Sequence, residues 1–121
     1  MDSDQVFHIG GVQLKVGNRT FGDDGGPAVR VFAKIDGRDV QLLRFDCFRK
    51  DPHYHYDPSG MDDKRDLDKE TVPDPIGWTI DQLGRNLRAM IRTAGYEDIA
   101  ESVDKDAVAS VLPEIESIMR S

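Results

Sequence analysis

Three side chains at alternate positions have the types and spacing of a metal-binding set. They belong to the segment His53-Tyr54-His55-Tyr56-Asp57. Residues two apart in an extended strand point to the same side, so His53, His55 and Asp57 should share one face. Two imidazoles and a carboxylate are ligands typical of a divalent transition metal ion. The sequence therefore predicts these three residues as metal ligands and a divalent metal ion as the candidate cofactor.

The same segment allows two other interpretations. Imidazole titrates near neutral pH, so the histidines could act as acid–base groups without a metal, with Tyr54 and Tyr56 contacting a ligand or partner. Alternatively, both histidines lie on an exposed strand edge and bond neighbouring carboxylates, while the tyrosines cover the core. A metal site usually recruits a further donor from elsewhere in the chain. The other possible donors on the same half of the chain are His8, Asp46, Cys47 and the pair Asp23-Asp24.

Cys47 is the only cysteine, which excludes an intrachain disulfide and a thiolate metal cluster within one chain. A reducing compartment fits best, so we expect a cytoplasmic location. Cys47 could serve as a nucleophile with a histidine as base, but its apolar surroundings are more typical of a small buried side chain. The sequence contains no complete catalytic constellation, so catalytic residues stay unassigned and a non-enzymatic role is favoured over an enzyme.

The charge of the chain argues against nucleic acid as a partner. The chain has 23 acidic and 16 basic side chains, a formal net charge of −7. Non-specific nucleic-acid affinity comes mainly from basic side chains that neutralise phosphates. Most of the excess acidity lies in residues 61–121, with fourteen acidic and eight basic side chains. No apolar run approaches the ~20 residues that span a bilayer, so we expect a soluble protein without a membrane partner.

A stripe of arginines is the second candidate contact surface. Arg85, Arg88 and Arg92 follow Asp81 at spacings of four, three and four residues along one face of a predicted helix. Such a stripe can hold an anionic ligand or the carboxylates of a partner. It is also the ordinary outer face of a surface helix, or a match for the acidic residues in 62–70.

Periodicity and turn residues predict the strands. Gly10-Gly11 and Asp36-Gly37 each separate two alternating runs and are typical of tight hairpins. The glycine-rich stretch 17–27 predicts a loop. The apolar phase changes within 40–48, which indicates a β-bulge or a strand covered on both faces. The predicted strands are 5–9, 12–16, 28–35, 40–48 and 53–56.

The last third of the chain has helical periodicity. Thr79 with Gln82 forms a capping-box pattern and Gly95 is placed as a C-terminal cap, so a helix is predicted over 79–94. A second helical region is predicted over 97–120, divided at Pro113 because proline disrupts a helix interior. Its wide apolar face predicts docking on the sheet, with self-association as a homodimer as the alternative.

These elements predict one α+β domain over residues 1–121. A four- or five-stranded antiparallel sheet occupies 5–57, an irregular loop 58–78, and two or three helices packed on the sheet 79–120. We interpret the domain as a non-enzymatic binding, interaction or accessory module. Its contact surface would be the loop and the arginine stripe, with a protein as partner. The alternative is a small metal- or histidine-dependent enzyme centred on His53, His55 and Asp57.

Overall fold

Six antiparallel strands form one sheet in which each strand pairs with the next along the chain. A computed structural model describes residues 4–121. The strands are β1 (Gln5–His8), β2 (Gln13–Phe21), β3 (Asp24–Ile35), β4 (Arg38–Asp46), β5 (His53–Tyr56) and β6 (Asp63–Asp66). The helices that follow are α1 (Pro75–Arg85), α2 (Leu87–Thr93), α3 (Glu97–Ala100) and α4 (Lys105–Arg120). The predicted α+β class and the order of sheet and helices are confirmed, with six strands instead of four or five.

Two predicted hairpins are present and one predicted loop is wrong. The β1–β2 and β3–β4 turns contain Gly10 and the pair Asp36-Gly37, all with positive φ. The stretch 17–27 is not a loop, because β2 and β3 pair along its length and turn only at Gly22 and Asp23. Gly26 is required in β3 because a Cβ there would lie 2.4 Å from the Cys47 carbonyl oxygen.

The phase change in β4 corresponds to the predicted bulge. The register between β3 and β4 shifts between Val31 and Phe32, which leaves Leu42 without a cross-strand partner. Leu42 and its neighbour Leu43 are both fully buried. The bulge therefore changes which residues of β4 face the core, and it places Phe45 on the core side.

The segment 58–78 is more regular than predicted. It contains β6 and the first residues of α1. The sequence did not predict β6, because Asp63-Lys64-Arg65-Asp66 has no alternation of apolar and polar residues. Charged residues are typical of an edge strand, where they prevent pairing with a further strand. A turn at Asp57, whose backbone N–H donates to the Leu42 carbonyl, reverses the chain so that β6 pairs with β5.

The helix boundaries also differ from prediction. α1 begins at Pro75, a residue suited to the first helical position, and Thr79 is buried inside the helix. The predicted helix over 79–94 is interrupted at Asn86. α4 continues through Pro113, contrary to prediction, because buried side chains on both sides of it, including Val108 and Ile115, hold the helix against the core.

The helices cover one face of the sheet and leave the other face free of helices. The core between sheet and helices includes Leu14, Val31, Phe45, Ile91 and Ile115. None of the helices within residues 4–121 is long and apolar enough to span a membrane.

The free face carries a row of basic and imidazole side chains in cross-strand register. From β2 to β6 the row runs through Lys15, Arg30, Arg44, His55 and Lys64. Because directly opposed residues of a sheet point to the same side, these side chains are neighbours. The candidate site lies at the β4–β6 end of this row.

Candidate functional site

Cross-strand register brings Asp46 of β4 together with the two histidines of β5. Asp46 lies opposite His53, and Arg44 lies opposite His55. Since residues two apart on a strand point to the same side, all four side chains occupy the free face. Both histidines and Asp46 are buried, with Asp46 only 1% exposed. The sheet itself therefore positions a carboxylate and two imidazoles in one shielded cluster.

Asp46 is the centre of this cluster. Its Oδ1 accepts a hydrogen bond from Arg19 Nη1 at 2.9 Å, and its Oδ2 accepts one from Arg44 Nε at 2.9 Å. His53 Nε2 lies 3.0 Å from Oδ2, and His55 Nε2 lies 3.8 Å from the same oxygen. A buried carboxylate needs such partners, because burial of an unpaired charge is strongly unfavourable.

The outer nitrogens of both histidine rings have acceptors of their own. His53 Nδ1 lies 2.7 Å from the Asp51 carbonyl oxygen, and His55 Nδ1 lies 2.7 Å from Asp62 Oδ1. When His55 Nδ1 carries the proton and donates it to Asp62, His55 Nε2 keeps a lone pair on the side of Asp46. At 3.0 Å from Asp46 Oδ2, His53 Nε2 donates to this carboxylate in the absence of a metal ion, and a bound ion would take the place of that proton. This is the arrangement that metal-binding histidines usually have, in which the second ring nitrogen is held by a carbonyl or a carboxylate.

The spacing of the inner atoms suits one metal ion. One ligand atom each from Asp46, His53 and His55 lies within 4.8 Å of the other two. A tetrahedral ion with bonds of about 2.1 Å separates its ligand atoms by about 3.4 Å. The separations of 3.0 Å and 3.8 Å between Asp46 Oδ2 and the two Nε2 atoms lie on either side of that value.

The Arg44 guanidinium occupies the space in which a metal ion would lie. Its Nη2 lies 2.9 Å from His55 Nε2 while its Nε donates to Asp46. A guanidinium has only donors, so His55 Nε2 accepts this bond and His55 is neutral. Burial lowers the pKa of His55, and the nearby Arg44 charge lowers it further, against the opposing effect of Asp62. The imidazole therefore stays available as a lone-pair donor.

A cavity of about 250 Å³ opens beside the cluster. Its wall includes Asp46, His53 and His55 together with Arg19, Arg44 and Lys64. Two aromatic side chains complete the wall. Phe48 is buried with its ring edge-on to the His53 ring, and Phe21, at the tip of the β2–β3 hairpin, is 78% exposed. A ligand bound to the cluster would therefore have cations and aromatic surface around it.

Asp57 does not join the two histidines. It lies just after β5 with φ of 52°, so the strand alternation that was expected to place it beside them ends at Tyr56. Its carboxylate accepts hydrogen bonds from the Tyr96 hydroxyl and from the Met61 backbone N–H. The carboxylate that faces His53 and His55 is Asp46 instead of Asp57.

Tyr54 and Tyr56 lie on the opposite side of β5 from the histidines. Tyr54 is stacked on Phe45 and lies 5.0 Å, centroid to centroid, from the ring of Trp78. Tyr56 packs against Tyr54, and Arg65 lies over its ring. Both tyrosines are packed against the core and do not contribute to the histidine cluster.

Cys47 has the environment of a buried structural thiol. Its Sγ lies 3.3 Å from the Thr79 hydroxyl, and the residue is only 6% exposed. Burial raises the pKa of the Cys47 thiol to about 11, so it is protonated at neutral pH. This environment disfavours the nucleophile interpretation.

Arg85, Arg88 and Arg92 line a separate cavity of about 210 Å³ between the α1–α2 segment and the start of α4. Arg85 pairs with Asp81, as helical spacing suggests, and Arg92 pairs with Glu101. None of the acidic residues in 62–70 is within ion-pair distance of these arginines. The arginine stripe therefore does not pair with this acidic segment, and its cavity shares no lining residue with the cavity beside the histidine cluster.

Sequence reasoning missed Arg19, Arg44 and Lys64 and gave Asp46 only as a further donor. A signal was available for two of them. Arg44 and Asp46 alternate with the core residue Phe45, so they had to share the face away from the core. What the sequence lacked was the register of β4 against β5, which depends on the conformation of residues 47–52.

The comparisons with known proteins identify a family. Residues 6–119 match the family model described as Domain of unknown function (DUF7700). The chain belongs to this family. No curated protein and no solved structure matches the chain. The family match covers both the sheet and the helices, so the histidine cluster and the arginine cavity both lie inside the family domain.

Proposed function

We propose that this domain is a non-enzymatic binding module that holds one divalent transition metal ion through Asp46, His53 and His55. The observation that carries this proposal is the orientation of the two imidazoles. Each Nδ1 is held by an oxygen acceptor, at 2.7 Å in both cases, and each Nε2 is directed at the same oxygen of Asp46. In this arrangement the rings are oriented before an ion arrives.

The donor set favours a transition metal over magnesium or calcium. Two nitrogen donors and one carboxylate suit zinc and its neighbours, whereas magnesium and calcium prefer oxygen ligands. Three protein ligands leave at least one coordination position, which would face the cavity that contains Arg19 and Lys64. We expect this position to accept a water molecule or an anionic group of a binding partner.

A metal-dependent enzyme is the second candidate, and the same cavity favours it. A three-ligand set with an open position beside a cavity of about 250 Å³ could admit a substrate. The carboxylates near the ligands are already engaged. Asp24 accepts three backbone N–H groups, from Gly25, Lys50 and Asp51, and Asp51 pairs with Lys64. Since these carboxylates leave no free general base beside the cluster among residues 4–121, we prefer the binding module.

We also propose a cytoplasmic location. Cys47 is a free, buried thiol and the chain has no second cysteine, so the domain gains nothing from an oxidising compartment.

Zinc titration of the purified, metal-free protein tests the metal proposal. Calorimetry should give one Zn²⁺ per chain, and zinc at 100 times its Kd should stabilise the fold by about 2.7 kcal/mol, a rise of roughly 10 °C in Tm. Asp46→Asn and His55→Gln should remove most of this binding. His8→Gln is the matched control, because His8 lies on the exposed edge strand β1.

Two results would contradict the proposal. One is less than one tightly held metal ion per chain with zinc, nickel, manganese and iron. The other is equal weakening of zinc binding by His8→Gln and His55→Gln, which would indicate non-specific binding by histidine.

A further inference from the structure

The cavity between the α1–α2 segment and α4 combines cations with an apolar floor. Its volume is about 210 Å³. Four cationic side chains surround it: Arg85, Arg88, Arg92 and Lys105. The buried side chains of Leu83 and Leu87 form part of its lining. We call it the arginine cavity.

Two of the four cations already have a carboxylate partner. Arg85 Nε lies 2.9 Å from Asp81, and Arg92 Nη2 lies 2.6 Å from Glu101. Both pairs are on exposed helix surface, where such contacts contribute little to stability. They leave Arg88 and Lys105 as the cations available to an external anion.

Arg88 is unusual among the arginines of residues 4–121. Only Arg38, Arg49 and Arg88 have no carboxylate within ion-pair distance in that range. Arg38 and Arg49 are exposed to water, whereas Arg88 is half-buried. Its Nη2 donates to the Val103 carbonyl at 2.8 Å, and its Nε is buried without a hydrogen-bond partner. A guanidinium that is partly desolvated and has no carboxylate partner is well suited to bind an anion.

Lys105 faces the same cavity from the other side. It is the first residue of α4, and no carboxylate of residues 4–121 lies within ion-pair distance of it. Arg88 and Lys105 come from different helices that the fold brings together, so the pair is a product of tertiary structure and not of helical spacing.

The surroundings limit the kind of anion. Residues 61–121 have fourteen acidic and eight basic side chains, so an extended polyanion would be repelled by the rest of this half. A compact anion with one or two charges would meet only the local cations. The apolar floor of Leu83 and Leu87 adds a preference for a ligand with a hydrocarbon part, which inorganic phosphate lacks.

We propose that the arginine cavity binds a small organic carboxylate. The carboxylate accepts hydrogen bonds from Arg88 and Lys105, and the alkyl part covers Leu83 and Leu87. This site is independent of the histidine cluster, which lies on the opposite face of the sheet, so it does not depend on metal binding.

Titration of the full chain with hexanoate, followed by amide chemical shifts, tests the proposal. We expect saturable shifts confined to residues 83–89 and 103–108. Arg88→Gln should weaken binding about tenfold, the effect of a lost hydrogen bond between charged groups, and Lys105→Gln about threefold, because this lysine is exposed. Arg38→Gln is the matched control, since Arg38 also lacks a carboxylate partner, and it should leave the Kd unchanged.

Further variants and a second ligand distinguish this proposal from its alternatives. Arg88→Gln also loses the bond to Val103, so Lys105→Gln provides the test if the arginine variant is poorly folded. Asp46→Asn should leave hexanoate binding unchanged, which keeps the two sites distinguishable. The proposal is overturned if hexanoate causes no saturable shifts in these helices, if inorganic phosphate binds more tightly, or if Arg38→Gln weakens binding as much as Lys105→Gln.

Discussion

Replacement of Arg44 by methionine separates a metal site from a purely structural ion-pair cluster. Arg44 Nε donates to Asp46 Oδ2 at 2.9 Å, and Arg44 Nη2 lies 2.9 Å from His55 Nε2. Both of these atoms are proposed metal ligands, so a metal ion must displace the guanidinium from them. Arg44→Met keeps most of the aliphatic chain and removes this competitor.

The magnitude follows from the bond to Asp46. A hydrogen bond between charged groups contributes about 1.5 to 3 kcal/mol, so its removal should lower the zinc Kd by about 10- to 100-fold. Without metal, the same variant should be less stable by about 1 to 3 kcal/mol, because Asp46 keeps only Arg19 and His53 as partners. Arg44→Met is therefore expected to weaken the metal-free fold and strengthen zinc binding together.

The assay is zinc calorimetry combined with thermal unfolding, with and without zinc. Arg30→Met is the control, because Arg30 is the cross-strand neighbour of Arg44 on β3 and pairs with Asp4, outside the cluster. Its zinc Kd should match that of the unchanged chain. A folded Arg44→Met variant with equal or weaker zinc affinity would refute the reasoning. It would assign Asp46, His53 and His55 to an ion-pair network that only stabilises the sheet.

Three further predictions concern the fold. With a pKa of about 11, only about one part in a thousand of the Cys47 thiol is thiolate at pH 8. A thiol reagent should therefore label the native protein far more slowly than the urea-unfolded chain, and labelling of the native protein should become faster as the pH rises. Tyr96→Phe removes a donor from the buried Asp57 carboxylate and should lower the free energy of unfolding by about 1 to 3 kcal/mol in urea titrations; no change would contradict this contact. Pro113→Ala should stabilise α4 by up to about 3 kcal/mol, visible as a higher Tm, and a lower Tm would indicate that the proline is required.

The local turns could be predicted because they depend on single residues. Asp36 and Gly37 both have positive φ, and Asp-Gly is the pair that tolerates this conformation in a two-residue hairpin. The bulge in β4 was also visible, since it changes the phase of apolar residues around Leu42 and Leu43. In these places the signal and its physical cause lie within a few residues of each other.

Features that depend on distant contacts could not be predicted. The glycines and proline in 17–27 indicate a loop by local propensity, yet this stretch extends β2 and β3, and Gly26 lies against the Cys47 carbonyl. α4 passes through Pro113 for the same reason, because burial of Val108 and Ile115 outweighs a local preference. In both cases tertiary packing determines the outcome.

Prediction of the candidate ligands also succeeded where the signal is local and failed where it depends on distant contacts. Alternation placed His53 and His55 on one face correctly, because both lie inside β5. The rule failed at Asp57, one residue beyond the strand, where the backbone turns with φ of 52°. Asp46 takes the position that Asp57 was expected to fill, and its selection depends on the pairing of β4 with β5, which no local pattern encodes.

Most of the cations on the free face of the sheet are paired with carboxylates. Three cations of the cross-strand row each have a carboxylate close by: Arg30 pairs with Asp4, Arg44 with Asp46, and Lys64 with Asp51. With three of its four cations neutralised in this way, the row has little net field with which to attract nucleic acid, so we predict that nucleic acid does not bind this face. On this face, His53 Nε2 and His55 Nε2 lie together beside Asp46, and Arg44 occupies the space between His55 and that carboxylate. For this reason the metal titration with Arg44→Met is the most informative first experiment.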